Sequence, residues 1–216
     1  NKVIDIVAQQ MHSITANRQN GLLSNYINNF IVDKSGNIWL TAWEGGLFKG
    51  SSKSGDLGDL GFVMVDEDGD GRILIAGDSL YYASRNSLWC INPVTLQKNE
   101  IVKVGKELND NYISGITTDN KGELWIGSEN RLLHYMPAND SLSVTAFDTG
   151  RSRKLNNLEV DSHGNVWATI QRSIIRFDRQ RNSYFTIPIS RISPIKSFGT
   201  YSSAISESGK ILVGGD

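Results

Sequence analysis

The 216-residue sequence predicts an all-β fold, a β-propeller of four-stranded antiparallel blades. Three observations predict it. The stretch Asp33-Lys34-Ser35-Gly36-Asn37-Ile38-Trp39-Leu40-Thr41 recurs as Asp119-Asn120-Lys121-Gly122-Glu123-Leu124-Trp125-Ile126-Gly127 and as Asp161-Ser162-His163-Gly164-Asn165-Val166-Trp167-Ala168-Thr169, with weaker copies at Asp68–Ala76 and Ser206–Gly214. The glycines of these copies, Gly36, Gly71, Gly122, Gly164 and Gly209, lie 35, 51, 42 and 45 residues apart (71−36, 122−71, 164−122, 209−164), near the period of about 40–50 residues of propeller blades. No stretch sustains a helical period, and turn residues punctuate the short apolar runs.

Each copy explains itself locally. An Asp three residues before a Gly, or Ser206 in the last copy, is turn chemistry: the side-chain oxygen accepts backbone N–H bonds and the Gly takes a positive φ without steric cost. The residues that follow are mostly aliphatic, β-branched or aromatic, as in a strand buried on at least one side. The Trp, or Leu in the weaker copies, is the large apolar plug between blades. Trp39, Trp125 and Trp167 are therefore expected at equivalent buried positions.

Taken in order, residues 1–20 end a preceding blade, with Lys2–Val7 as its outer strand and a connection after it. Unit 1 covers 21–59: Tyr26–Val32 is its innermost strand, Asn37–Ala42 the second and Gly46–Lys49 the third, with a short or irregular fourth strand near Gly50–Gly58. Unit 2 covers 60–108, opening at Leu60 and carrying Leu74 in the Trp place. An insertion around Leu80–Asn86 then displaces its third strand to Leu88–Ile91. Units 3 and 4 cover 109–150 and 151–195, and 196–216 start unit 5. The chain thus opens late in one unit and stops early in another.

Composition excludes several classes. A net charge of −1 offers no footprint for nucleic acid or an anionic membrane. The single cysteine, Cys90, cannot form an internal disulfide, and no run is long enough to span a membrane. The chain carries none of the phosphate-cradling signatures.

The units resemble the two component regulator propeller repeat. The resemblance rests on Gly21-Leu22-Leu23-Ser24-Asn25-Tyr26-Ile27, Asp33–Thr41 and Gly45-Gly46-Leu47 in unit 1. In unit 3 it rests on Asn111-Tyr112-Ile113, Asp119–Gly127 and Leu132. Unit 4 keeps Asp161, Gly164, Trp167 and Thr169 but has Gln171-Arg172 in place of the Gly-Gly. The resemblance implies the periplasmic sensor region of a hybrid two component histidine kinase, responding to glycan-derived oligosaccharides. It implies that the chain is an arc of a seven-bladed propeller, and that the kinase, receiver and DNA-binding parts lie elsewhere. The partners it implies are an oligosaccharide, the rest of the propeller with its parent kinase, and a second copy in a homodimer. A propeller lyase resembling streptogramin lyase and a pure protein-interaction scaffold are the competing readings, because fold alone does not choose function.

Antiparallel alternation puts the start of each innermost strand and the link from second to third strand on one face, and the Asp hairpins on the other. The first face collects the ligand candidates Tyr26, Trp43, Glu44, Tyr112, Glu129, Arg131 and Arg172. Aromatic rings beside carboxylates and guanidinium groups suit a sugar's C–H patches and hydroxyls. Trp43 leads, because Trp39 already fills the core position. No cofactor is expected. Asp66, Asp68 and Asp70 open a calcium-loop pattern; position twelve is Gly77 where an EF-hand needs Glu, which leaves them as candidate calcium ligands of a shorter hairpin, against the plainer reading of an acidic, solvated turn. His12, His134 and His163 form no zinc spacing. Arg172, Arg176, Arg179 and Arg181 read as a solvated rim.

Overall fold

The computed structural model describes residues 19–43, 46–52, 59–69, 71–105, 112–129, 131–147, 154–170, 172–191, 197–206 and 208–215. They form four four-stranded antiparallel sheets and one two-stranded sheet, the blades of a propeller. Blade 1 holds β1 (Ile27–Val32), β2 (Ile38–Ala42), β3 (Gly46–Ser51) and β4 (Gly61–Asp66). Blade 2 holds β5 (Ile73–Ala76), β6 (Ser79–Ala83), β7 (Ser87–Ile91) and β8 (Lys98–Lys103). Blade 3 runs from β9 (Gly115–Thr118) through β10 (Leu124–Gly127) and β11 (Arg131–Met136) to β12 (Ser141–Ala146). Blade 4 holds β13 (Asn156–Val160), β14 (Val166–Ile170), β15 (Ser173–Asp178) and β16 (Ser183–Pro188), followed by a 3₁₀ turn at Ile189–Arg191. Blade 5 is the pair β17 (Phe198–Ile205) and β18 (Ile211–Gly215). Lys2–Val7 lies outside the described residues.

The boundary expected between units 1 and 2 is wrong. Gly61–Asp66 does not open unit 2; it is the fourth strand of blade 1, pairing with β3 from Ser51↔Gly61 to Leu47↔Asp66. The supposed insertion at Leu80–Asn86 is β6, a regular second strand, with the link to β7 after it. The Asp68–Gly71 turn signal belongs to the link between blades. The true hairpin of blade 2 is the two-residue turn Gly77-Asp78, with Ala76 opposite Ser79 and Gly77 at φ 62°. Gly36, Gly77, Gly122, Gly164 and Gly209 all have positive φ. With Gly77 in place of Gly71 their intervals become 41, 45, 42 and 45 (77−36, 122−77, 164−122, 209−164), so the irregular spacing disappears.

Register also replaces Leu74 with Tyr81. The Trp of each blade faces a third-strand partner: Trp39↔Lys49, Trp125↔His134 and Trp167↔Arg176. In blade 2 that pair is Tyr81↔Cys90, while Leu74 sits on the first strand opposite Tyr81.

Packing occurs between blades. Trp39 (0 % exposed) meets Leu47, Leu80, Tyr82 and Ile91 at the 1–2 boundary. Tyr81, Leu88, Ile116 and Leu133 fill the 2–3 boundary, and Trp125, Leu158, Ile175 and Phe177 the 3–4 boundary. Trp167 is only half-buried, because a cavity of about 490 Å³ separates it from Ile211 and Val213 of β18.

Polar clasps reinforce these contacts. Thr41 Oγ1 donates to the Gly71 carbonyl (2.6 Å) and Asn29 Oδ1 accepts from the Ile73 N–H (3.1 Å). Ser114 Oγ donates to the Leu155 carbonyl (2.6 Å). Asn157 donates to the Gly199 carbonyl (2.7 Å) and accepts from the Ser202 N–H (2.9 Å). One contact reaches further: Arg72, at the start of blade 2, donates to Ser203 Oγ of blade 5 (3.3 Å) and lies 4.0 Å from Glu159 of blade 4.

Candidate functional site

The upper face, where the innermost strands begin, carries the richest site. A cavity of about 530 Å³ opens between blades 1 and 2. Trp43, at the link from β2 to β3, forms one side, and Glu67 and Asp68 come from the link between blades. Arg85, Trp89, Glu100 and Lys103 come from blade 2. A second cavity of about 530 Å³ is lined by Leu23, Ser24, Tyr26 and Trp43, so Trp43 borders both. Trp43 is 59 % exposed and Tyr26 77 %, yet their backbones are tied, the Trp43 N–H donating to the Tyr26 carbonyl at 2.8 Å. Two rings that burial would stabilise are thus presented to solvent on a fixed backbone.

Trp89 is oriented within the first cavity. Its indole N–H donates to Ser84 Oγ (3.3 Å), and the Lys98 ammonium lies 4.7 Å from its ring centre. Lys98 also pairs with Asp66 at 2.6 Å. Asp66, a candidate calcium ligand, spends both oxygens inside the protein. One accepts from Lys98 and from the Tyr82 hydroxyl, and the other from the Asp68 N–H at 3.2 Å. Burial alone would raise the Asp66 carboxyl, but these bonds outweigh it and hold the group below its ordinary value. Burial and the same carboxylate push the Tyr82 hydroxyl far up. Asp68 is exposed and lines the cavity; Asp70 lies outside the described residues. Among the described residues no group of three His, Cys, Asp or Glu side chains is placed to hold a metal ion.

The other ligand candidates do not converge on Trp43. Neither cavity bordered by Trp43 includes Tyr112, Glu129, Arg131 or Arg172 among its described lining. Tyr112 carries the Lys154 ammonium 4.2 Å from its ring centre, ahead of blade 4. Glu129 lies in the link from β10 to β11, Arg131 opens β11, and Arg172 immediately precedes β15, its carbonyl accepting from the Ile189 N–H at 2.8 Å. Glu44 lies outside the described residues. Sequence reasoning missed Arg85, Trp89, Glu100 and Lys103, because treating Leu80–Asn86 as an insertion hid the link from β6 to β7 at the cavity's edge.

The lower face holds a second polar constellation, which corrects the reading of Arg179 as solvated rim. Arg179, in the turn from β15 to β16, bonds Asp119 at 3.1 Å and also Glu123. Glu123 in turn meets His134 Nε2 at 2.8 Å, and the His134 ring stacks on Trp125 at 3.9 Å between centres. Arg176 also leaves the rim, lying 5.5 Å from the ring centres of both Trp167 and Phe185. None of the described residues lining the two upper cavities is a histidine. Their chemistry is that of aromatic plates, acceptors and donors, suited to holding a polyhydroxylated molecule.

Comparison with known proteins agrees with the repeat. Residues 107–130 match the family described as two component regulator propeller, and that stretch contains the Asp119–Gly127 hairpin. Among solved structures, the extracellular domain of the proposed hybrid two component system BT3049 from B. thetaiotaomicron is similar at a TM-score of 0.71 and 16% identity, over 97% of this chain and 29% of that one. The extracellular domain of BT4673 from B. thetaiotaomicron, also a proposed hybrid two component system, is similar at a TM-score of 0.56 and 16% identity, over 90% of this chain and 32% of that one. Virginiamycin B lyase from Staphylococcus aureus is similar at 0.63 and 14% identity, over 90% and 72%. The chain spans about a third of the length of the two extracellular domains. At these identities the likeness is one of fold. No curated protein matches the sequence.

Proposed function

We infer that this chain, which carries a two component regulator propeller repeat at residues 107–130, is part of the extracytoplasmic sensor of a hybrid two component histidine kinase. Its upper face recognises a glycan-derived oligosaccharide in the periplasm. The parent kinase carries the signal across the membrane, and the chain contributes an arc of blades to a seven-bladed propeller that works as a homodimer. The observation that carries the ligand reading is Trp43, an exposed indole shared by two cavities and ringed by carboxylates and cations. Stacking of a sugar ring on an indole, with hydroxyls bonded at its edge, is the chemistry such a site offers. None of the described helices is long and apolar enough to cross a membrane.

The test is calorimetric titration of a panel of oligosaccharides against the protein and its Trp43→Ala and Trp43→Phe variants. The reading expects at least one saccharide to bind, Trp43→Ala to abolish the heat, and Trp43→Phe to retain part of it. Saccharide binding that Trp43→Ala leaves unchanged would remove the upper face from the account. The full reading frame supplies the second check: a membrane span followed by a kinase core is expected, and a frame without them ends the sensor-kinase reading.

A further inference from the structure

The cavity between blades 1 and 2 also carries information about charge. Two cations border it, Arg85 from the link between β6 and β7 and Lys103 from the end of β8. Among the described residues neither side chain makes a hydrogen bond or an ion pair, unlike Lys98, which is engaged with Asp66 in the same blade. The carboxylates of the cavity do not neutralise them. Glu100 is bonded to the Ser87 hydroxyl, and Glu67 and Asp68 come from the link between the blades. Two exposed cations that stay apart from three nearby carboxylates leave room for an anionic group of a ligand.

Arg85 is also held in place. The Ser84 N–H donates to the Ser87 carbonyl (2.9 Å), closing the turn that carries it, and the Arg85 carbonyl accepts from the Ile113 N–H of the next blade's lead (3.0 Å). The Asn86 carbonyl accepts from the Val104 N–H (2.8 Å), which ties the turn to the end of β8 just past Lys103. The guanidinium and the ammonium are thus mounted on one braced loop pair, so little backbone ordering is left to oppose binding.

We propose that the oligosaccharide taken by this cavity is acidic, its carboxylate or sulfate ester held by Arg85 and Lys103 while a sugar ring stacks on Trp43. The proposal rests on the saccharide reading of the upper face and narrows it. Arg85 supplies the planar fork that matches a carboxylate or sulfate, and Lys103 adds a point charge. Glu67 and Asp68 accept from sugar hydroxyls, a role a carboxylate fills without being repelled, provided the ligand's own charge sits on the Arg85 side. Trp89, pinned by Ser84 and Lys98, forms the apolar floor.

The experiment compares three probes of equal length by tryptophan fluorescence and calorimetry: an oligogalacturonide, a sulfated galacto-oligosaccharide and an unsubstituted galacto-oligosaccharide. Each is titrated against the protein and against Arg85→Met, Lys103→Met and Trp43→Ala. An acidic probe is expected to bind about tenfold or more tighter than the unsubstituted one, with the preference falling in 0.5 M salt, roughly the regime where exposed charges are screened. Arg85→Met and Lys103→Met should erase that preference while leaving the melting temperature unchanged, since both side chains are exposed. The carboxylate and sulfate arms identify which acid the site takes. Equal or tighter binding of the unsubstituted probe through Trp43, indifferent to Arg85→Met, overturns the acidic proposal and leaves the saccharide site standing. Failure of every saccharide to bind overturns the site itself.

Discussion

The Asp hairpins of blades 1 and 4 and that of blade 3 have nearly the same sequence but different wiring. In blade 1 the Asp33 carboxylate is consumed within its own hairpin. One oxygen accepts from the Ser35 and Asn37 N–H groups at 2.9 Å, and the other from the Asn37 side chain and the Trp39 indole, also at 2.9 Å. Asp161 repeats this with His163, Asn165 and Trp167. In blade 3 the backbone half is intact, Lys121 and Glu123 N–H groups bonding Asp119 at 2.9 and 3.0 Å. The side-chain half is not. Glu123 stands where Asn37 and Asn165 stand, and a carboxylate cannot donate to a carboxylate. Arg179 of blade 4 fills the gap, and the Trp125 indole N–H, buried, has no hydrogen-bond partner among the described residues. With an acid at the amide's position and Arg179 opposite, a bond between blades stands in place of the closed local motif.

The largest expected effect separates buried from half-buried tryptophan. Trp39→Ala and Trp125→Ala should each cost about 3–5 kcal/mol in urea denaturation, the scale for removing a buried large aromatic. Trp167→Ala should cost about 1.5–2 kcal/mol, because only part of its surface is covered. Equal losses at all three positions would mean that the boundaries are packed alike.

Next comes the bridge itself. Arg179→Met leaves the buried Asp119 carboxylate short of its cation and should cost about 2–3 kcal/mol. In a Glu123→Asn background the hairpin can close on its own amide, so the further cost of Arg179→Met should shrink. A double-mutant cycle with no coupling would show that the two residues act independently. Asn157→Ala, which removes a clasp to blade 5, should cost about 1 kcal/mol by the same denaturation assay; no change would mean that the clasp is made equally well by water.

The smallest effect at neutral pH is the one that acid reveals. Burial would raise Asp33 and Asp161, but the Trp indole, the Asn side chain and the backbone N–H bonds outweigh it and hold both below the ordinary 3.8. A depressed folded value means that the unfolded chain takes up protons first. The stabilisation is therefore fully present above about pH 4 and is lost as pH falls through the depressed value. Asp33→Asn with Asp161→Asn should flatten the acid limb of the stability curve. An acid limb as steep as the parent's would place the acid sensitivity elsewhere.

Sequence reading recovered the blades wherever the four-residue hairpin was intact, led by Asp or, in blade 5, by Ser206, because Gly36, Gly122, Gly164 and Gly209 mark a φ that few other residues adopt. It failed at blade 2 for a physical reason. Asp68-Gly69-Asp70-Gly71 carries the turn composition of a hairpin and is followed by Ile73-Leu74-Ile75, so residue chemistry pointed there. The real turn, Gly77-Asp78, has only two residues and no leading Asp. The regular interval and the aromatic pair Tyr81-Tyr82 were the available signals. Of the site, Trp43 and Tyr26 could be read as exposed rings on the upper face, because alternation alone decides which links share a face. Arg85, Trp89 and Lys103 could not, since their place depends on which strand follows Gly77. Arg179 was beyond reach, because its partners lie about 60 residues earlier, in another blade.

Blades that touch only their neighbours make an array whose stability is close to a sum of units and boundaries, and such arrays can unravel from an end. Arg72 departs from that rule. Its guanidinium bonds Ser203, which is itself bonded to Glu159 at 2.7 Å, so blade 2 is joined directly to blades 4 and 5. A tie that skips blade 3 makes the loss of the last two strands costly to the second blade as well. Melting should therefore be a single cooperative event, and Arg72→Met should split it, with the amides of Phe198–Ile205 exchanging hydrogen well before those of Ile73–Ala76.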